Sequence, residues 1–175
     1  MSIEFDIHES TEIRGVYIMT PSVSVDARGN IWTSFLKDKV EGLLPDDLFF
    51  KHDKFSTSKR NVLRGIHGDT KSWKLVTCVH GEIQQVVVDM RKDSPTYKQW
   101  QDFIISKDNQ QLILIPPNMG NAYYVNSSEA VYYYKLAYNG DYIDADEQFS
   151  VKWNDNTIGI NWMSDNPILS NRDAK

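Results

Sequence analysis

The stretch Leu63-Arg64-Gly65-Ile66-His67-Gly68-Asp69 holds the residue best suited to chemistry in this chain. A histidine has the only side chain whose unperturbed pKa lies close to neutrality, which suits a proton-transfer base. Alternation along a strand sets Arg64 and Ile66 on one face and His67 on the other. Gly65 and Gly68 leave room for a ligand, and Gly68 can open the strand into a loop. Residue type alone leaves a second reading, a hydrogen-bonded histidine at a strand end. In the run Tyr132-Tyr133-Tyr134-Lys135, Tyr132 and Tyr134 point one way, Tyr133 and Lys135 the other. A phenol with a pKa of about 10 is protonated at neutral pH and can give a proton to a carbanion. The same alternation of aromatics also serves packing. Arg28, Arg64, Lys74 and Lys135 are cations in or beside predicted strands of an otherwise acidic chain. Inside a barrel they would need counter-charges, which a diphosphate supplies; at a surface they would form ordinary salt bridges.

Other signals carry less. A metal-binding jelly roll supplies two histidines spaced by one residue, then an acid and a third histidine. Here His8, His52, His67 and His80 are scattered, so no metal is expected. Asn126-Ser127-Ser128 fits a glycosylation acceptor, which matters only in a secreted chain. There is no phosphate-cradling glycine loop of the Walker or Rossmann kind.

The elements that must position these groups read as strands. β-rich runs cover Gly15–Met19, Asn30–Phe35, Leu48–Phe55, Asn61–Ile66, Lys74–Val79, Glu82–Met90, Gln101–Ile105, Gln111–Ile115, Ala122–Asn126 and Ala130–Leu136. His80-Gly81 reads as a tight hairpin turn, and Pro116-Pro117-Asn118 must end the strand before it. The best helix candidate, Ser34–Leu44, is short and peripheral. Trp153–Asn156 reads as a turn and the last dozen residues as an extended tail. Spaced strands with so little helix predict an all-β, cupin-like jelly-roll sandwich with short peripheral helices, one domain over residues 1–175.

With 175 residues, 41% of them hydrophobic, the chain can bury a stable core. A formal charge of −5 argues against nucleic acid or anionic membrane as the main partner. A local pocket of Arg and Lys can still take an anionic small ligand. No basic start followed by an apolar run marks a signal peptide, and no segment approaches the roughly 20 apolar residues of a membrane span. The single Cys78, in an apolar run, reads as a buried small hydrophobe, and a cytoplasmic setting is expected.

Taken in order, these pieces resemble the dTDP-4-dehydrorhamnose 3,5-epimerase family. The resemblance runs from Asp26-Ala27-Arg28-Gly29 to Pro167–Asp173. Between them lie LRGIH at 63–67, KLVTCVHGE at 74–82, VDMRKDSPTYKQW at 89–100, IPP at 115–117, YYK at 133–135 and WNDNTIGINW at 153–162. It implies a jelly-roll homodimer acting on a nucleotide-diphosphate sugar without metal or redox cofactor. By position it implies His67 as the base, Asp173 as the carboxylate that orients it, and Tyr134 as the acid on the opposite face of the sugar. Lys74 would lie near the 4-keto oxygen and stabilise the enolate; Arg28 and Arg64 would bind the diphosphate.

The departures from the family pattern bear on the substrate. A second active-site histidine is replaced by Asn121, and the Asp that accompanies the lysine is Gln85 here. The family's His-Tyr-Gln is His67-Gly68-Asp69, and the upstream Gln of its substrate loop is His52. Loss of the Tyr side chain at Gly68 is expected to alter which sugar or base fits. RGIHGD, HDKFS and PPNMGNAYYV resemble a subgroup from bacterial capsule biosynthesis that epimerises GDP-4-keto-heptoses, so the resemblance implies that substrate ahead of dTDP-4-keto-6-deoxyglucose. A dTDP-sugar 3,4-ketoisomerase and a non-catalytic sugar-nucleotide-binding module are the other readings.

Overall fold

In the computed structural model, which describes residues 2–175, strands dominate, some with side chains alternately half-buried and exposed, such as Phe50–Lys59, and others, such as LILI at 112–115, buried on both faces. They are β1 (Phe5–Glu9), β2 (Tyr17–Pro21), β3 (Val23–Asp26), β4 (Gly29–Trp32), β5 (Phe50–Lys59), β6 (Leu63–Gly68), β7 (Trp73–His80), β8 (Glu82–Asp89), β9 (Trp100–Ser106), β10 (Leu112–Ile115), β11 (Met119–Val125), β12 (Glu129–Ala137) and β13 (Phe149–Ser150). The expected helix shrinks to α1 (Lys37–Val40) with a 3-10 turn at Glu41–Leu43. Each of the ten expected runs overlaps a strand, whereas β1, β3 and β13 were not expected. β1 (FDIHE) and β3 (VSVD) do alternate apolar and polar residues, a signal that was legible in the sequence, whereas the two residues of β13 are a strand only through pairing with β6.

Two antiparallel sheets face one another. One has the order β1-β2-β10-β7-β12-β5 and the other β13-β6-β11-β8-β9, while β3 and β4 form a separate hairpin. The Gly15–Met19 run contributes β2, which is paired on both sides; one open edge of this sheet belongs to β1. Ile18, Val76, Ile113, Val87, Val125 and Tyr132 lie in the core between the sheets. Each outer face is covered as well. Val40 and Leu44 pack over Leu75, Leu112 and Leu114 on the six-stranded sheet. Ile158, Ile160 and Trp162 pack over Ile66, Val86 and Ala122 on the five-stranded one. Among the described residues no helix is long and apolar enough to cross a membrane.

The pairing of β6 with β11 is irregular. Asn121 faces His67 and Tyr123 faces Arg64, so the two residues Gly65 and Ile66 lie opposite the single Ala122. This is a β-bulge, in which one extra residue shifts the side-chain alternation by one. Gly65 sits at φ +122°, and a Cβ there would overlap Ala122.

The turn after β8 is tied down by one buried carboxylate. Asp89 accepts from the Arg91 backbone N–H (3.0 Å), Arg91 Nε (2.9 Å) and Nη2 (2.8 Å), Ser94 Oγ (2.6 Å) and Thr96 Oγ1 (2.6 Å). Burial alone would raise its pKa, but Arg91, Ser94 and Thr96 hold it at about 2. A carboxyl depressed in the folded state adds stability above its unfolded pKa and loses it as pH falls through the folded one. Asp89→Asn should therefore cost about 2 kcal/mol at neutral pH, a difference that shrinks between about pH 4 and pH 2. Urea unfolding of parent and variant across that range checks it; a gap independent of pH would contradict it.

Candidate active site

The bulge decides what β6 presents. Strict alternation would have separated Arg64 from His67; with the extra residue, both line one cavity between the sheets while Ile66 turns into the outer core. The glycines do not make room for a ligand, as the sequence led us to expect. Gly65 is pressed against Ala122, and the space a side chain at Gly68 would need is filled by the Phe149 ring and the Met119 carbonyl. The absent Tyr side chain therefore leaves no opening at Gly68.

The cavity has a volume of about 310 Å³. His67 enters from the five-stranded sheet, and Lys74 and Tyr134 enter from the six-stranded one. Asp173 arrives on the C-terminal segment, which is pinned beside β6 by Leu63 N–H to Ile168 O (3.0 Å) and Ile168 N–H to Asn61 O (2.7 Å). The segment then closes a turn, with Asp173 and Ala174 N–H both donating to Ser170 O, instead of staying extended to its end. That turn sets Asp173 Oδ1 2.6 Å from His67 Nε2. The Asp173 side chain is 4% exposed, yet its pKa lies below the usual carboxylate value. Burial pushes it up, and the hydrogen bond and charge of His67 outweigh that. An ionised Asp173 accepts the Nε2 proton, which leaves Nδ1 as the basic nitrogen.

Lys74 is buried, with Nζ 3.6 Å from Asp69 Oδ2. Asp69 is itself held by the backbone N–H groups of Lys71 (3.0 Å) and Ser72 (2.6 Å). The carboxylate that the resemblance would put at position 85 is thus supplied from position 69. Burial lowers the Lys74 pKa, with Asp69 opposing. Gln85 lies beneath the cavity, fully buried, in a neutral network. Its Nε2 donates to Asn121 Oδ1 (2.6 Å), and Tyr132 Oη donates to its Oε1 (2.9 Å). Asn121 reaches the lining; Gln85 does not, because Asn121 and Tyr132 stand between. The Tyr134 hydroxyl has no hydrogen-bond partner among the described residues and faces the cavity.

Two other expected residues lie elsewhere. The Arg28 side chain is 90% exposed at the tip of the β3–β4 hairpin, paired with Asp26. His52 stands outside the lining, its Nδ1 3.2 Å from Tyr138 Oη and its ring edge-on to Tyr142. Lys135 and Tyr133 point to the far face of β12, where both bond Asp53. Lining residues not foreseen include Lys54, Ser56, Tyr142, Asp144 and Arg172. Lys54 and Ser56 follow His52 at two-residue steps along β5, a period legible in advance; Tyr142 sits in a segment with no pattern. Among the described residues no group of three or more His, Cys, Asp or Glu is set to hold a metal ion.

Fold and sequence together put the chain in the class of isomerases that act on nucleotide-linked sugars. The chain is a member of the dTDP-4-dehydrorhamnose 3,5-epimerase family, whose sequence profile matches residues 10–175. It is 38% identical over 168 residues to the dTDP-4-dehydrorhamnose 3,5-epimerase of Salmonella typhimurium, covering 94% of this chain and 90% of that one. The solved dTDP-6-deoxy-D-glucose-3,5-epimerase of Legionella pneumophila, in complex with dTDP-4-keto-L-rhamnose, superposes with a TM-score of 0.89 at 33% identity, over 98% of this chain and 90% of the other. The Bacillus anthracis dTDP-4-dehydrorhamnose 3,5-epimerase, with TDP and pyrophosphate bound, gives 0.87 at 31% identity, over 98% and 97%.

Because the bulge sets the direction of both Arg64 and His67, Gly65→Ala should combine backbone strain with overlap on Ala122, costing about 3 kcal/mol of stability. Thermal unfolding would register the loss, and turnover by the fraction still folded should also fall. Parental stability and turnover would mean that the bulge is not needed.

Proposed function

We propose that the chain inverts carbon 3 and carbon 5 of dTDP-4-keto-6-deoxyglucose. The carrying observation is that His67 and Tyr134 reach one cavity from opposing sheets. A sugar ring lying between the sheets then has a base on one side and an acid on the other. His67 Nδ1 takes the proton next to the ketone while Asp173 balances the imidazolium. Lys74 faces the oxygen on which the enolate charge collects. Tyr134 returns a proton to the other face. Arg64 and Arg172 supply cations for the diphosphate. The buried free thiol of Cys78 supports a cytoplasmic setting.

The dTDP-linked substrate is supported by the relatives described above, whose names refer to dTDP or TDP compounds, and it is favoured over the GDP-4-keto-heptose that the sequence led us to expect. A GDP-4-keto-heptose, destined for capsular or surface polysaccharide, remains the second reading. The uncharged floor of Asn121, Gln85 and Tyr132 favours it, because Asn121 and Gln85 depart there from the family pattern beneath the cavity proposed for the sugar. Incubation in D2O with dTDP- and GDP-linked 4-keto sugars, followed by NMR, separates the readings. Epimerisation puts deuterium on carbon 3, carbon 5 or both; a 3,4-ketoisomerase yields a 3-keto product; a silent binding module does neither. His67→Asn, similar in size, should stay folded and lose at least ~10²–10⁴-fold in rate. Near-parental turnover by a folded variant would remove His67 as the base.

A homodimer is part of this reading. Val25 and Ile31 on the β3–β4 hairpin are 74% and 70% exposed, and Arg28 at its tip reaches no cavity in its own chain. Covering that hairpin and the open β1 edge with a second copy would bury both. Light scattering at micromolar concentration should give twice the 20.2 kDa chain mass; a monomer would contradict it.

A further inference from the structure

Tyr134 as the acid, on which this inference rests, raises a charge problem. A phenol that protonates carbon is left as a phenolate, and a phenolate half-buried between two sheets is costly without a nearby cation. The residue in register with Tyr134 on the neighbouring strand is Lys54. Both side chains enter the cavity, and residues directly opposite in an antiparallel pair hold their Cβ atoms about 4.5–5.5 Å apart. Lys54 Nζ donates to Tyr142 Oη at 2.8 Å and lies 4.5 Å from the centre of that ring. Lys74 and Lys135 each face a carboxylate, whereas Lys54 makes no ion pair among the described residues. Asp144, also in the lining, acts on it only from beyond ion-pair distance, so no carboxylate in contact competes with an anion that forms during the reaction.

We propose that Lys54 is a positioning residue for the protonation step, acting through Tyr134. The Tyr134 Oη–H bond breaks and its electron pair stays on oxygen. The proton joins the carbanion's electron pair in a new C–H bond, and the Lys54 ammonium, steadied by Tyr142, balances the phenolate. Water then returns a proton to Tyr134 and takes one from His67, so no charge is left over. The groups facing Tyr134 are Lys54 on β5, Arg64 on β6, Tyr123 on β11, Tyr132 on its own strand and Tyr142 in the segment after β12. Burial raises the Tyr134 pKa; Lys54 is the strongest influence against that rise, Tyr142 and Tyr123 add to it, and Arg64 opposes it. Lys54 keeps its charge, because the hydrogen bond to Tyr142 and the neighbouring Tyr134 and Asp144 outweigh its desolvation.

The test uses Lys54→Gln and Lys54→Arg in the full chain, each with and without Tyr134→Phe. NMR in D2O follows inversion and solvent exchange into recovered substrate. Lys54→Gln should lower kcat for inversion about 10- to 100-fold with KM little changed, while exchange continues. Lys54→Arg should restore most of the rate. In the Tyr134→Phe background Lys54→Gln should have no further effect on the ratio of inversion to exchange. Without substrate, the near-ultraviolet titration of Tyr134, taken as the difference from Tyr134→Phe, should move to higher pH in Lys54→Gln. A raised KM with an unchanged ratio would make Lys54 a diphosphate ligand and overturn the proposal, as would an unmoved titration. If Tyr134→Phe alone leaves the ratio unchanged, the acid assignment itself falls, and the proposal with it. An altered ratio in Tyr134→Phe but not in Lys54→Gln removes Lys54 only.

Discussion

One extra residue in β6 underlies the arrangement of the cavity. A regular strand through Arg64 and His67 would aim them at opposite faces of the sheet, one into the sandwich and the other under the segment that carries Ile158 and Trp162. The bulge opposite Ala122 absorbs the mismatch: Ile66 goes outward into an apolar layer, and both polar residues go inward. Only glycine fits at position 65, because the backbone there adopts positive φ and lies against Ala122. The same strand then pairs at its far end with β13, where Phe149 closes over Gly68. β6 is therefore clamped on both sides, and the imidazole it carries has a defined direction before any ligand arrives.

Two of the cavity's charged groups come in compensated units. Asp173 offsets the charge that His67 gains, and Asp69 offsets Lys74, each pair bringing a carboxylate nearly closed to solvent against a group that faces the cavity. Beneath them, Gln85, Asn121 and Tyr132 satisfy one another without formal charge. A buried network of this kind is stable because its donors meet acceptors, and one unmatched change would leave a polar group orphaned. Replacing an acid at 85 while introducing one at 69 keeps a negative charge beside the lysine and moves it from one sheet to the loop after β6.

Much of this was legible in the chain. β-rich runs bounded by turn residues located ten strands, and His67, Tyr134, Lys74 and Asp173, far apart in sequence, do converge. The face assignments along β6 failed because a bulge has no mark in the alternation beyond a glycine, and that glycine reads equally as space for a ligand. Gly68 misled in the same way: the ring that fills its space comes from Phe149, some eighty residues on. Gln85 and Arg28 could not be positioned from strand parity, which gives a face but not depth within the sandwich or distance along a projecting hairpin. Lys54 was within reach of the alternation along β5, yet a lysine on a strand is usually a solvated residue, and only its partner on β12 shows otherwise.

His67 and Tyr134 belong to different sheets, so the gap between them is a property of the sandwich and of no single loop. Facing sheets stand about 10 Å apart, a spacing set by the side chains packed between them. Ile113, Val87, Ile18 and Val76 thus act as a caliper for the reacting groups, although none of them lines the cavity. A methylene gained or lost in that layer can widen or narrow the jaws by a fraction of an ångström. Substrate preference can then drift by repacking the interior, with every residue that touches the sugar unchanged.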